Sequence, residues 1–263
     1  MLVGEKKAEA KSLVAQAFIP TAKDNRPAPS EILRSALFGV SSKKRSRAQL
    51  TNHPIFTCGD TQVTYTGEQL DQGDLDLYMA ALKMVWGQGY KASDSSYEFV
   101  CTVHDFQKLL NLSKCGTSGE RIKESFTRMT SCSLTIKSKG MNYCGTLIVG
   151  FVLDTANGTY KLEFNSKMAA LFRHGCTYIN WNVRRMIKGE LARRVQALVL
   201  SHKASGNQPQ SYKTATLKKL CCSGDSNERR FKANVRKTMG MLQLYGDVKD
   251  WSFRGDILRY TRN

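Results

Sequence analysis

Residues 97–130, YEFVCTVHDFQKLLNLSKCGTSGERIKESFTRMT, decide the fold. Tyr97–Val103 alternates apolar and polar side chains and reads as a strand. HDFQKLLNL after it reads as a short helix, because Phe106, Leu109 and Leu110 fall on one side. Ser113–Gly116 is a turn. Thr117-x-x-Glu120 has capping-box spacing and opens a second helix, whose Ile122, Phe126 and Met129 lie four and three residues apart on one stripe. Its other face carries Arg121, Glu124, Thr127 and Arg128. Upstream, Asp74–Gln88 places Leu75, Leu77, Tyr78, Leu82, Val85 and Trp86 at helical spacing, with Asp74 as N-cap and Gly87 near the stop. Downstream, SLTIKSKG, MNYCGTLIVGFVLD and GTYKLEFN read as a strand meander broken at Lys139-Gly140 and Asn157-Gly158. Helix, strand, helix, turn, helix and strands is the element order of a winged helix.

The order recurs toward the C-terminus. After a connecting helical region (SKMAALFRHG, then WNVRRMI), Glu190–Lys203 forms a helix with Leu191, Val195, Leu198 and Val199 inward. SGNQPQ breaks it; SYKT is extended, TLKKLCC a short helix, SGD a turn, and Ser226–Gly240 a long basic helix. WSFRGDILRYTR closes as a hairpin across Arg254-Gly255-Asp256. Two units of one order without strong identity point to an old duplication.

Projected at 100° per residue, the helix from Ser226 gathers Phe231, Val235, Thr238, Met239 and Leu242 on an inward side. The opposite side presents Arg229, Arg230, Ala233, Arg236, Lys237 and Gly240, with Lys232 beside them. A major-groove reading helix needs this composition: Arg bidentate to guanine, and small residues where the backbone approaches base edges. Asp225-x-x-Glu228 has the spacing to cap it. In the first unit Glu124 shares the outward face with Arg121, Thr127 and Arg128, so fewer base contacts are expected there. Lys137 and Lys139 are assigned to the first wing as phosphate contacts, and Arg254 and Arg259 to the second.

The chain of 263 residues carries 40 Lys+Arg against 22 Asp+Glu, a net +18, and residues 181–263 alone hold 18 and 6, or +12. Such a bias predicts a polyanionic partner. Asp60, Glu68, Asp71, Asp74 and Asp76 fall in a stretch without Lys or Arg, which is expected to face away from phosphate or to face a protein. The basic run Ser41–Arg47 reads as a surface loop, and PIFTCGDTQVTYT (54–66) as a hairpin about Gly59-Asp60. No apolar run approaches the roughly 20 residues of a spanning helix, and the N-terminus has no long apolar segment after its charges; a cytoplasmic protein off the membrane is expected.

The eight cysteines lack a CxxC and the four histidines are scattered, so reduced thiols and no metal site are expected. Cys101, Cys144 and Cys176 read as buried small hydrophobes, and Trp86, Trp181 and Trp251 as packing residues. No histidine pair accompanies a tyrosine nucleophile, and Gly87-Gln88-Gly89 is not followed by GK[ST]. No catalytic residue and no cofactor is therefore assigned.

The segments ILRSALFGVSSKKRSRAQL (32–50) and IFTCGDTQVTYTGEQLDQGDLDLYMAAL (55–82) resemble the TrfA-type replication initiators of broad-host-range bacterial plasmids, an iteron-binding Rep family. The likeness extends more loosely through both winged helices. It implies a protein that binds direct repeats (iterons) at a plasmid origin, helps open adjacent AT-rich DNA, and works with the host initiator and replicative helicase. It also implies a monomer active at iterons, in equilibrium with a homodimer formed through the N-terminal winged helix.

The expected architecture is α+β: a flexible tail over 1–30, a first winged-helix domain over 31–170 that includes the hairpin and the dimer surface, and a second, DNA-reading domain over 171–263. The expected function is plasmid replication initiation on double-stranded DNA in the bacterial cytoplasm, nucleoid- or plasmid-associated. The alternative is a dimeric winged-helix repressor with no initiation role. An RNA-binding protein is a third reading, unsupported by any aromatic RNP-like strand.

Overall fold

The computed structural model describes residues 24–41, 46–87, 91–92, 96–202 and 208–263. The chain opens with β1 (Asn25–Pro29), α1 (Ser30–Arg34), β2 (Phe38–Gly39), the hairpin β3 (Gln49–Ile55) and β4 (Gln62–Glu68), and β5 (Leu70–Asp71). The first repeat follows: α2 (Gln72–Gly87), β6 (Lys91–Ala92), β7 (Ser96–Thr102), α3 (Val103–Leu110), α4 (Gly116–Thr130), β8 (Ser133–Ser138), β9 (Met141–Gly145), β10 (Gly150–Asp154) and β11 (Thr159–Asn165). A 3-10 turn (Ser166–Met168), α5 (Ala169–His174), β12 (Cys176–Asn180) and α6 (Trp181–Met186) connect to the second repeat. That repeat comprises α7 (Glu190–Ser201), β13 (Gln210–Lys213), α8 (Thr214–Leu220), α9 (Glu228–Leu244), β14 (Val248–Arg254) and β15 (Ile257–Arg262). Residues 1–23, most of the tail expected over 1–30, lie outside the described residues.

The two repeats share their pairing as well as their order. In each, the strand after the first helix runs antiparallel to the last strand of the wing, β7 to β11 and β13 to β15. In each, the first residue of the next helix donates its N–H to the wing turn: Val103 to the Gly158 carbonyl at 2.9 Å, and Thr214 to the Asp256 carbonyl at 2.7 Å. This is an α+β fold of two tandem winged helices.

The first wing is not the hairpin expected from sequence. The strand that pairs with β7 is β11, so the wing is β10–β11, closed by the turn after Asp154. The β8–β9 hairpin, with Lys137 and Lys139, instead joins β3 and β4 in a separate four-stranded sheet of order β3-β4-β8-β9. The apolar run 147–153 is not one strand, since Leu147 and Ile148 are buried ahead of β10. Strand spacing alone cannot tell which of two successive hairpins meets a distant strand.

Local caps also differ. Asp71 rather than Asp74 caps α2: its Oδ1 accepts the Gly73 and Asp74 N–H groups, and Asp74 Oδ2 accepts the Asp71 N–H in return. The Thr117–Glu120 box does not form, since the N-cap of α4 is Cys115, two residues earlier, with no side-chain cap. A capping box unread in the sequence does form at Thr102 and Asp105. Asn227, not Asp225, caps α9 by accepting the Arg230 N–H at 2.9 Å.

The fold begins before Glu31. β1 pairs along its length with β12, and Ala28 is fully buried. The β12 strand was unread, because Cys176–Asn180 is too short to display a period. Two cores result. One gathers Leu33, Tyr78, Phe106, Phe126, Leu134, Tyr160 and, beyond residue 170, Leu171, Phe172, Ile179 and Trp181. The other gathers Val183, Ile187, Val195, Leu198, Leu217, Phe231, Val235, Met239 and Leu258. Each fully buried aliphatic or aromatic side chain contributes roughly 1.5–3 kcal/mol. The first core runs past residue 170 to Trp181 and takes in Ala197 and Leu200 of α7, while the second begins at Val183.

Candidate nucleic-acid interface

Helix α9 is amphipathic in the way its sequence requires. Phe231, Val235, Thr238, Met239 and Leu242 are its buried residues, packed against α7 and β14. Arg229, Arg230, Ala233, Arg236, Lys237 and Gly240 are exposed. Asn234, absent from the sequence-derived set, is exposed beside them. Its amide has the donor and acceptor pair that reads adenine.

These cations are not equivalent. Arg230 forks onto Asp225, with Nε to Oδ2 at 2.8 Å and an Nη to Oδ1 at 2.6 Å, and holds that carboxyl below the usual range. Lys232 is paired with Glu228 at 2.8 Å and with Asp256 in the wing turn, which raises its pKa. Arg236 stacks over the Phe253 ring, 4.8 Å from its centroid. Lys232 and Arg236 thus hinge the wing to one flank of the helix. Arg229 and Lys237 have no partner among the described residues and flank the small side chains of Ala233 and Gly240. Arg254 and Arg259 stand exposed on the wing, where Gly255 takes φ +54° in the turn.

The first repeat presents a different surface. Arg121, Glu124 and Thr127 are exposed on α4, but the Thr127 hydroxyl donates back to the Lys123 carbonyl at 3.0 Å. Arg128, read in sequence as outward, is turned in: its side chain is 12% exposed and an Nη donates to Asp74 Oδ1 at 2.8 Å. The wing tip Asp154–Gly158 has no Lys or Arg; Asp154 instead accepts the N–H groups of Ala156 and Asn157. Lys161 pairs with Glu98 at 3.1 Å and sits in register between Val100 and Val152, which are 53% and 66% exposed. A fold position that bears cations in the second repeat bears carboxylates and valines in the first.

Within the acidic stretch Asp71, Asp74 and Asp76 are buried, whereas Asp60 is exposed and the Glu68 side chain is 41% exposed. Asp74, 1% exposed, accepts from Arg47 at 2.6 Å, Arg128 and Ser125. Burial raises its pKa, but the two guanidiniums overcome that and lower it. Asp76 accepts from Arg184 at 2.8 Å and Arg193 at 3.1 Å. Arg47, the end of the basic run, is therefore structural; residues 42–45 of that run lie outside the described residues. The sequence missed these pairs because the partners are 27 to 117 positions apart.

Cys101 is buried, with its thiol pushed up to about 12, and Cys176 half-buried, but Cys144 is exposed, contrary to expectation. Cys115, exposed at the start of α4, is lowered to about 6 by hydrogen bonds from Ser113 and Thr117. Among the described residues no cluster of three His, Cys, Asp or Glu gathers to hold a metal, and no helix is long and apolar enough to cross a membrane.

The family described as TrfA protein matches residues 5–262. The Escherichia coli plasmid replication initiator protein TrfA is 25% identical over 248 residues, which cover 90% of this chain and 62% of that relative. The chain thus spans about three fifths of the relative's length. Two solved structures of RctB domains 2 and 3 are similar in fold, with TM-scores of 0.55 and 0.51 at 9% and 11% identity, covering 89% and 88% of this chain and 98% and 96% of theirs. The crystal structure of Pi initiator protein in complex with iteron DNA has a TM-score of 0.51 at 9% identity, over 71% of this chain and 90% of that one.

Proposed function

The chain belongs to the TrfA family, and from that premise we propose that it initiates plasmid replication by binding direct repeats at the origin. The observation that carries this reading is α9: a helix anchored by five buried residues, with Arg229 and Lys237, unpaired among the described residues, flanking Ala233 and Gly240 on its open face. Arg229 and Asn234 read bases, Lys237, Arg254 and Arg259 hold phosphates, and Arg230 and Arg236 join once released from Asp225 and Phe253. Lys232 sets the wing angle. Arg121, Glu124 and Thr127 supply a weaker second contact through α4, on the next groove face of the same repeat.

Phosphate neutralisation makes affinity salt-dependent, and each bidentate base contact adds about 1–3 kcal/mol of discrimination. Successive repeats bound side by side bend the origin and load strain onto flexible AT-rich DNA. The opened strand then receives the host helicase with the host initiator. The protein acts in the bacterial cytoplasm through binding, without a covalent step. Its monomer occupies iterons, and its homodimer, formed through the first repeat, is the reserve form.

Footprinting of the purified protein on its own plasmid tests this. Evenly spaced protection over direct repeats, strongest for the monomer fraction, is expected. Protection of a single inverted repeat by a dimer replaces initiation with promoter repression.

A further inference from the structure

The two cores meet at α6, a helix of six residues whose Trp181 belongs to the first core and whose Val183 belongs to the second. Between them sits Arg184, 1% exposed. Its Nε donates to Asp76 Oδ1 at 2.8 Å and an Nη to Gln72 Oε1 at 2.9 Å, both on the first turns of α2; the other Nη donates to the Arg193 carbonyl on α7. One planar guanidinium therefore bonds the first helix of each repeat and is itself carried by the linker. Asp76 also takes Arg193 from α7, so the carboxylate is shared by both flanks.

A second buried arginine acts at the same junction. Arg194, also 1% exposed, donates to the Leu33, Ser35 and Leu220 carbonyls at 2.7, 2.7 and 2.9 Å, binding α1 and its exit to the end of α8. Apolar side chains often fill such a space as stably as buried ions do; what a fully hydrogen-bonded ion network adds in some proteins is a single geometry, since its bonds are satisfied in one arrangement. The chain spends two buried charges where the relative placement of the repeats is set.

We propose that Arg184, held by Asp76 and Gln72, is a positioning residue that fixes the spacing at which the two winged helices meet one DNA repeat. The proposal rests on the DNA-binding reading above, and adds that the protein measures distance along the duplex as well as reading bases. With the junction locked, α4 and α9 engage together only when their sites on the duplex have the native separation and phase. An unlocked junction lets either unit follow its own site.

The test compares the wild-type chain with Arg184→Met combined with Asp76→Leu, which replaces the ions by apolar groups of similar reach, and with Arg184→Lys, which keeps the charge but loses the fork. Duplexes carry the footprinted repeat, intact or with five base pairs, about half a turn of B-DNA, inserted at its centre. The wild type is expected to lose at least about 30-fold in affinity on insertion, the cost of one unit's contacts. The double variant is expected to lose less than about 5-fold, with Arg184→Lys between them. Small-angle scattering of the free proteins is read in parallel, and a larger maximum dimension is expected for a double variant of unchanged helix content.

Equal insertion penalties for the wild type and a folded double variant overturn the positioning role, as does an unchanged scattering profile. A wild type that protects no repeat overturns the DNA reading; scattering still decides whether Arg184 holds the units together.

Discussion

At the residue scale, Gly240 is the most telling position on α9. A Cβ built there meets nothing closer than the Trp251 ring, at 4.0 Å, so internal packing does not require glycine. Glycine inside a helix costs about 0.5–1 kcal/mol relative to alanine. Gly240→Ala is therefore expected to raise the melting temperature and, on the proposed DNA-reading role of α9, to weaken duplex binding, because the added methyl would stand on the face that meets DNA. Calorimetry and fluorescence anisotropy check the two signs, and unchanged affinity removes Gly240 from the interface. Arg229→Ala is expected to reduce preference for the cognate repeat over random duplex by about 1–3 kcal/mol, and Lys237→Ala to weaken both alike and lower the salt slope by about one. Competition titrations across a salt series separate them.

His202 carries the pH prediction at this scale. Burial, followed by the positive charges of Arg34 and Arg262, lowers its pKa to about 4, and Tyr212 shares a hydrogen bond with its Nε2. The unfolded chain protonates His near 6.5, so it binds the proton before the folded chain does. Stability from this group is complete above about 6.5 and falls as pH drops toward about 4. Denaturation midpoints measured over that window are expected to fall for the wild type and to flatten for His202→Phe.

At the element scale, α4 and α9 occupy one place in the repeated fold and differ in what their polar faces are used for. Arg128 of α4 and Arg47 neutralise Asp74 at the start of α2, binding the four-stranded sheet's neighbours to the first core. Asp74→Ala leaves two guanidiniums without their buried partner and is expected to cost about 3 kcal/mol, read as a shift in the urea midpoint with an unchanged slope. The stripes Ile122-Phe126-Met129 and Phe231-Val235-Met239 were legible because a helix repeats within its own few turns. The inward turn of Arg128 was not, because its partner sits 54 positions away.

At the scale of the whole molecule, the +18 charge is distributed by fold as well as by sequence. The second wing offers Arg254 and Arg259, and the first offers Asp154, a Glu98–Lys161 pair and exposed valines. Asp71, Asp74 and Asp76 of the acidic stretch are paired with arginines inside, while Arg229, Lys237, Arg254 and Arg259 stand exposed on α9 and its wing. Binding to a nonspecific duplex is accordingly expected to weaken steeply between 50 and 200 mM salt, by roughly 10³-fold or more for six phosphate contacts; a slope near zero by filter binding contradicts it.

The sequence by itself determined the element order, its recurrence, the inward faces of α4 and α9 and the polyanion bias, since these rest on periods and charges that neighbouring residues carry. Only the tertiary structure decided which hairpin becomes the first wing, that β1 closes onto β12, which cations stay open on α9, and that Arg184 and Arg194 bind the two repeats together. The strand pairings and the arginine junctions depend on groups brought within about 3 Å across tens to more than a hundred positions. The cations of α9 are sorted by Asp225 and Glu228 nearby and by Phe253 and Asp256 in the wing; no helical or strand period encodes such meetings.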